Sequence, residues 1–503
     1  MDKEEASMMK NWKKITILVV ILGIFIAAFI FLSKNKDKLG NDATASPSPS
    51  ETASSEDVVD LFDFKWQDIT KMILKRGDGE IILTKEERDV EKLEEDDQGN
   101  TRKVIEKKKI WVNPDFDVDS DTADDIAVAA DVLETKRLID ENPGDLTIYG
   151  LDSADMTTFV SADGKEYGIE IGNQTPTKDG YYARKQGDTQ VYTISSHSGN
   201  TLKYGKFDIM NKNLYGTEAI SLEDIDSLKF SRSGEMVFNT RKGASMSEWL
   251  ITEPLEREAE LTELSKFLDW LHRFRVSEFI EENVQDLKSY GLDDPRYIFE
   301  YTFGDKAYTL KLGSLKDEKY YGMMNDITTV FTVNSSDLNF VDLPLIDLIS
   351  TFIYIPTIYD VEKLVIEMDG RTDILLINDN KDSDAETDFR LNGKKMENSD
   401  QESLFRKYYQ GAIGISGEKL DLNANPQGDW FARFTYTRKK ADPDKVVTVE
   451  LIPTEDGYGY YLMKNGEYSG MIMGKRKLDD PDMGIRQAYK NLIEGLEKKE
   501  ETN

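Results

Sequence analysis

The chain has 503 residues, with 64 Lys and Arg against 96 Asp and Glu, no cysteine and a formal net charge of −32. That length suggests about three or four domains at roughly 100–200 residues each. The missing cysteines exclude disulfide frameworks, CxxC redox sites, thiolate nucleophiles and Cys-ligated zinc. The acidic balance argues against nucleic acid or anionic lipid as the main partner, and two histidines, His197 and His272, leave little for a His-ligated metal or a Ser-His-Asp site.

Residues Ile15 to Leu32 form an uncharged run interrupted only by Thr16 and Gly23. As a helix it spans about 27 Å, enough to cross the hydrocarbon core of a bilayer. It exceeds the usual signal-peptide apolar core, and no small-x-small cleavage site follows before Lys34, so the expectation is an uncleaved anchor over residues 15–33. Lysines flank the run on both sides and nearly cancel, so charge alone does not set the orientation. The Ser/Thr/Pro/Ala-rich stretch Asn41 to Ser55 cannot build a core. Together with the absent cysteines it places a short tail, residues 1–14, in the cytoplasm. The linker, residues 34–59, and everything beyond it are then expected outside a cell membrane crossed once.

The rest of the chain repeats itself. QDITKMILKRGDGEIILTK from Gln67, EDIDSLKFSRSGEMVFNTR from Glu223 and YDVEKLVIEMDGRTDILLI from Tyr359 each read as two alternating strands around a Gly turn. Strand-like segments follow at Ile110-Trp111-Val112 and Trp249-Leu250-Ile251. The charged insertion Glu86 to Lys109 has no counterpart later and reads as a solvated hairpin extension or loop. Helical spacing then places Ile126, Ala130, Leu133 and Leu138 on one face of 122–138, and Leu264, Phe267, Leu268 and Leu271 on one face of 262–274. Thr122 and Thr262 stand at the N-cap positions. A shorter helix is expected over 402–409. Each unit closes with alternating strands carrying a Tyr pair: Tyr181 and Tyr182, Tyr320 and Tyr321, Tyr460 and Tyr461, at intervals of 139 and 140 residues. The expected fold is α+β: three repeated modules at roughly 60–217, 218–352 and 353–497, each a β-hairpin, a helix and an antiparallel β-meander. An amphipathic helix over 485–496 closes the third.

Particular residues carry a family resemblance. Asp68-Ile69, Trp111 with Pro114, Tyr149-Gly150-Leu151-Asp152 and the stretch Ile171 to Arg184 (IGNQTPTKDGYYAR) resemble the pattern of the bacterial DUF4340 family. The second module repeats it with Trp249, Pro254, Tyr290-Gly291-Leu292-Asp293, Leu312-Gly313 and Tyr320-Tyr321. The third lacks YGLD and matches more weakly. The resemblance implies membrane-anchored proteins of unknown biochemistry that often accompany ABC transport systems of the kind associated with gliding motility, hence an ABC permease and ATPase complex as partner.

Of the candidate sites, the two YGLD copies read first as turns, with Gly150 and Gly291 at positive φ, and only second as a matched pair of acids, Asp152 and Asp293. Asn113, Asp115, Asp117, Asp119, Asp121 and Asp124 fall at calcium-loop positions 1, 3, 5, 7, 9 and 12. Val118 nevertheless stands where such a loop needs Gly, and the plainer reading is an acidic approach to a helix N-terminus. Alternation predicts one buried and one exposed member in each Tyr pair, and the exposed members of Tyr181, Tyr182, Tyr320, Tyr321, Tyr460 and Tyr461 are the candidate partner-binding residues. No GxSxG, HExxH, P-loop or SxxK motif occurs, and no catalytic residue, cofactor or metal is expected. The sequence therefore reads as a non-enzymatic, extracytoplasmic binding or scaffold protein and accessory of an ABC-type transporter. The alternative is a cell-envelope enzyme acting on wall polymer or peptide through a carboxylate pair.

Overall fold

Alternation builds the first strand, Ile69–Arg76 (β1), in which Ile69, Met72 and Leu74 are buried. An irregularity in the ladder between Ile69 and Lys71 keeps Ile69 and Met72 on the same side. This computed structural model describes residues 60–95, 101–216, 221–245, 247–325, 327–379, 387–440 and 444–497. The expected tail, anchor and linker lie outside them. Among the described residues no helix is long and apolar enough to cross a membrane.

β1 pairs with Gly79–Glu95 (β2), which pairs in turn with Thr101–Val112 (β3). Helix Ser120–Asp131 (α1) follows. Arg137–Asp140 (β4) lies at the far edge, and Asp155–Ser161 (β5), Glu166–Gln174 (β6), Gly180–Lys185 (β7) and Val191–Ser195 (β8) fill the space between. The sheet order is β3-β2-β1-β5-β6-β7-β8-β4. Two short helices, Ser196–Leu202 (α2) and Lys206–Ile209 (α3), lead out of it.

The second sheet contains Ile225–Arg232 (β9), Glu235–Lys242 (β10), Trp249–Glu253 (β11) and Arg257–Glu258 (β12). Helix Leu261–His272 (α4) comes next, then Glu278–Glu281 (β13), Tyr297–Phe303 (β14), Lys306–Lys316 (β15), Lys319–Met324 (β16) and Val330–Asn334 (β17). Its order is β12-β11-β10-β9-β14-β15-β16-β17-β13. The third has Val361–Met368 (β18), Arg371–Asn378 (β19), Asp388–Leu391 (β20), Lys394–Lys395 (β21), helix Ser399–Ile413 (α5), Lys419–Leu420 (β22), Ala432–Arg438 (β23), Val446–Pro453 (β24), Gly459–Lys464 (β25) and Glu467–Gly474 (β26). Its order, β21-β20-β19-β18-β23-β24-β25-β26-β22, repeats the second. The described residues are thus mostly β, built as three large antiparallel sheets of one topology, each with a helix between the strands that reach its two edges.

The helices differ from expectation at their ends. Asp119, not Thr122, caps α1, accepting the Thr122 N–H at 3.1 Å. Glu260 caps α4, accepting the Thr262 N–H at 3.4 Å. Both are longer-reaching acids three and two residues upstream, and they let the helices start earlier. α1 ends at Asp131, so Leu138 sits in β4 instead of on the helix face, and α5 extends beyond 402–409 at both ends. The charged insertion is a regular hairpin arm, paired from Thr84–Val112 to Glu95–Thr101. Lys103 on it reaches Asp224 of the second module at 2.9 Å.

Packing joins the modules unequally. The first has its own core, from Leu61 to Ile209. One continuous core runs through the second and third, from Tyr215 to Leu496, bridged by Phe340, Val341, Leu348, Ile349 and Ile353. In each case the segment arriving from the preceding module inserts an aromatic ring. Tyr215 is buried against Phe303 and Tyr308, with its hydroxyl 2.8 Å from Leu271 O and 2.9 Å from the Tyr301 hydroxyl. Burial pushes its phenol far above the ordinary tyrosine value. Tyr354 packs edge-on against Tyr436 at 5.1 Å. The closing helix Ile485–Glu497 (α6) buries Ile485, Leu492 and Leu496 and is pinned by Arg486, which donates to Asp369 at 2.7 Å and to Asp479 at 3.0 Å.

Replacing the Tyr215 side chain (Tyr215→Ala) is expected to cost about 3–5 kcal/mol. Removing only its hydroxyl (Tyr215→Phe) should cost about 1 kcal/mol. Both are read from denaturant unfolding. The Asp369 carboxyl is held below the usual carboxylate range, first by its hydrogen bonds from Arg486. Its contribution is therefore present above the unfolded value of about 4 and is lost as pH falls through the lower folded value. Arg486→Met should be less stable than the parent at pH 7, and urea titrations should show the gap narrowing as the pH falls below about 4.

Candidate functional site

The repeated motifs turn out to pack against one another. Gly150 and Gly291 sit in the left-handed region at φ +67° and +66°, closing turns in which the Leu151 and Leu292 N–H groups donate to Leu146 O and Leu287 O at 3.0 Å. Leu151 and Leu292 are buried. The Tyr149 ring packs on Tyr182 at 5.1 Å and the Tyr290 ring on Tyr321 at 4.9 Å, both edge-on. Their hydroxyls donate to Asp140 at 3.2 Å and Glu281 at 2.5 Å. Beneath each turn lies a glycine at an irregularity in the next ladder. A Cβ on Gly172 would stand 2.2 Å from Tyr149 O, and one on Gly313 2.3 Å from Tyr290 O. The third module has Ile452 in the equivalent place, packed with Tyr461 and Met463, and its ladder continues unbroken. Without a YGLD turn to accommodate, that position fills with a side chain.

The Tyr pairs serve their own modules. Tyr320, Tyr460 and Tyr461 are buried, while Tyr181, Tyr182 and Tyr321 are half-buried. The simple buried/exposed alternation therefore does not hold within the pairs. Tyr181 donates to Asn200 at 2.7 Å, Tyr320 packs on Tyr297, Tyr460 stacks on Phe431, and Tyr461 donates to Glu455 at 2.5 Å. The acidic stretch 113–125 is dispersed in the same way. Asp117 accepts from Asn211 at 2.8 Å, Asp119 caps α1, Asp121 meets Lys108 at 3.3 Å, and Asp124 accepts from Lys85 and from the Trp111 indole at 2.9 and 2.8 Å. Among the described residues no group of three or more His, Asp or Glu side chains converges as a metal would require.

Three of the larger concave surfaces lie where modules meet. Between the first and second is a cavity of about 610 Å³. Its walls are mainly apolar, with Phe116 and Leu214 from the first module and its connector facing Phe279, Met324 and Phe331 from the second. Asp115, Asp117 and Glu282 stand among its polar lining. Glu282 pairs with Lys206 at 2.6 Å, and the Lys206 ammonium lies 5.1 Å from the Phe116 ring centre. Ile327, 48% exposed, also lines the cavity. An apolar chamber with a few charged groups is the usual character of a ligand or side-chain recognition site.

The second junction repeats the frame of the first. Asp119 N–H donates to Ile209 O and Asn211 N–H to Asp117 O; correspondingly, Glu260 N–H donates to Leu348 O and Ser350 N–H to Glu258 O. The bridge between Val118 and Met210 matches that between Ala259 and Ile349. In this register Phe116 corresponds to Arg257 and Tyr215 to Tyr354. Through the Tyr pairs, Met324 corresponds to Lys464. The cavities of the second junction, about 670 and 560 Å³, are both lined by Glu256, Arg257 and Lys464. Sequence reading missed these residues because they come from three separate segments and form no motif. The available signal was the 139-residue interval between Tyr215 and Tyr354, equal to that between Tyr181 and Tyr320.

The family model for a domain of unknown function, DUF4340, matches residues 109–248 and again 249–406, more than half of the chain. The chain belongs to the DUF4340 family. Each DUF4340 match starts in or at the third strand of one sheet, runs through a YGLD turn and a connector aromatic, and includes the hairpin of the next sheet. The family unit is therefore phased across a junction, not within a sheet. No curated protein and no solved structure matches the chain. Gly313→Ala is expected to lower stability by about 1–3 kcal/mol, because backbone on both sides must move. Chemical denaturation checks this, with Gly144→Ala, which meets open space at an ordinary backbone conformation, as the milder control.

Proposed function

We propose that this chain is a single-pass, membrane-anchored extracytoplasmic binding and scaffold protein that acts as an accessory component of an ABC-type transport system. The observation that carries the binding role is the cavity at the first junction: apolar walls from two modules, with carboxylates among its polar lining. Such a chamber suits an apolar side chain or ligand with a polar group to meet its charged lining. The anchoring role is supported by the uncharged run Ile15 to Leu32 and the Ser/Pro-rich linker that follows it. The transport role is supported by the resemblance that the DUF4340 motifs carry. In this reading the helix fixes the chain to the bilayer, the linker sets its reach, and the joined modules present the junction cavities to a permease complex in the same membrane.

The test is purification of the full tagged chain from its native membranes in mild detergent. Recovery of an ATPase and a multispanning permease in stoichiometric amounts is expected. Ile327→Asp, a change at a half-exposed cavity residue, should reduce that recovery at least tenfold while leaving thermal unfolding within a few degrees of the parent. Recovery of the chain alone, with the anchor intact and the transporter expressed, would contradict the accessory role. Unchanged recovery with Ile327→Asp would move the contact away from this cavity.

A further inference from the structure

The two junctions share a backbone frame but not a lining. Where the first has Phe116 and Met324, the second has Arg257 and Lys464. Arg257 is half-buried on the short strand β12, and burial lowers its pKa, opposed by the nearby charge of Glu258. It forms no ion pair among the described residues. Its guanidinium makes only two long hydrogen bonds, from Nη1 to Phe352 O at 3.4 Å and from Nη2 to Ser469 O at 3.5 Å. A guanidinium withdrawn from water normally finds a carboxylate or phosphate to receive its paired donors.

Beside it, the Ser469 Oγ is a buried atom without a hydrogen-bond partner, and Ser469 lines a cavity that Arg257 also lines. An unpartnered buried hydroxyl calls for an explanation, and an absent acceptor is one. Lys464, exposed and 5.4 Å from the Tyr354 ring centre, adds a second cation.

We propose that the cleft between the second and third modules binds a single oxyanion group, a carboxylate or a phosphate. The Arg257 fork receives the anion, the Ser469 hydroxyl turns to donate to it, and Lys464 supplies additional charge at the mouth. The exposed carboxylates of Glu256, Asp444 and Glu467 also line the cleft. They repel polyanions, so the ligand presents one anionic group and not a charged polymer. This inference does not depend on the transport role.

The experiment is isothermal titration calorimetry on the full chain in detergent at low salt, with inorganic phosphate and, separately, N-acetylglycine as probes. Saturable binding of at least one probe, one per chain, is expected. Arg257→Gln should weaken it at least tenfold, and Lys464→Gln and Ser469→Ala several-fold each. Phosphate binding alone would assign the site to a phosphate, N-acetylglycine binding alone to a carboxylate. If Arg257→Gln fails to fold, by circular dichroism, the Lys464 and Ser469 variants decide the matter. No binding of either probe, or binding undiminished by the variants, overturns the proposal.

Discussion

Everything in this architecture depends on an aromatic ring from one module's exit segment packing into the next module, most fully where Tyr215 is buried in the second core. Three separate sheets on a string would have independent cores and free relative motion. Instead Tyr215 enters the second core through ring contacts with Phe303 and Tyr308, and its hydroxyl is satisfied by a main-chain carbonyl and a neighbouring phenol. That satisfaction matters because a buried hydroxyl without a partner would offset much of what ring burial contributes. At the second junction Tyr354, half-buried, packs edge-on against Tyr436 of the third module. Each insertion fixes the loop before the helix against the connector, and this contact defines the walls of each junction cavity.

The two junctions then diverge in how much apolar surface surrounds the insertion. Between the second and third modules the core is continuous, with Leu348, Ile349 and Ile353 passing through it. Between the first and second the cores are separate, and polar ties supplement the Tyr215 anchor: Lys206 with Glu282, and Lys103 of the hairpin arm with Asp224. Partly exposed ion pairs contribute modestly. The first junction is therefore the weaker seam, and it is also where the most apolar of the junction cavities lies. A seam that can open beside a binding cavity is a natural place for a partner to act.

Much of the fold was legible in the sequence because it rests on local rules. Period-2 alternation gave the hairpins, Gly turns gave their ends, and the Tyr interval gave the repeat. The YGLD turns were legible too, since Gly150 and Gly291 had to take positive φ. What sequence could not give was what the turns pack on. Gly172 and Gly313 look like ordinary strand glycines until the backbone of Tyr149 and Tyr290 is seen against them. The Tyr pairs suggested a surface platform because the alternation rule ignores neighbours, and Tyr149 and Tyr290 arrive from outside the strand to cover Tyr182 and Tyr321. The N-caps shifted upstream because Asp119 and Glu260 accept from the Thr122 and Thr262 amides, which puts both threonines inside the first turn. The junction cavities were least legible of all, being assembled from a loop, a connector and a later meander that local periodicity does not relate.

The central claim is that the second and third modules form one cooperative unit while the first is joined to it by a weaker seam. Native-state hydrogen exchange, followed by mass spectrometry at increasing denaturant, tests this directly. The account predicts that core amides of β9–β11 and β14–β17 merge with those of β18–β20 and β23–β26 onto a single, highest opening free energy, with β1, β5 and β6 opening at a lower one. Separate opening of the second and third sheets, with the first and second opening together, would contradict it.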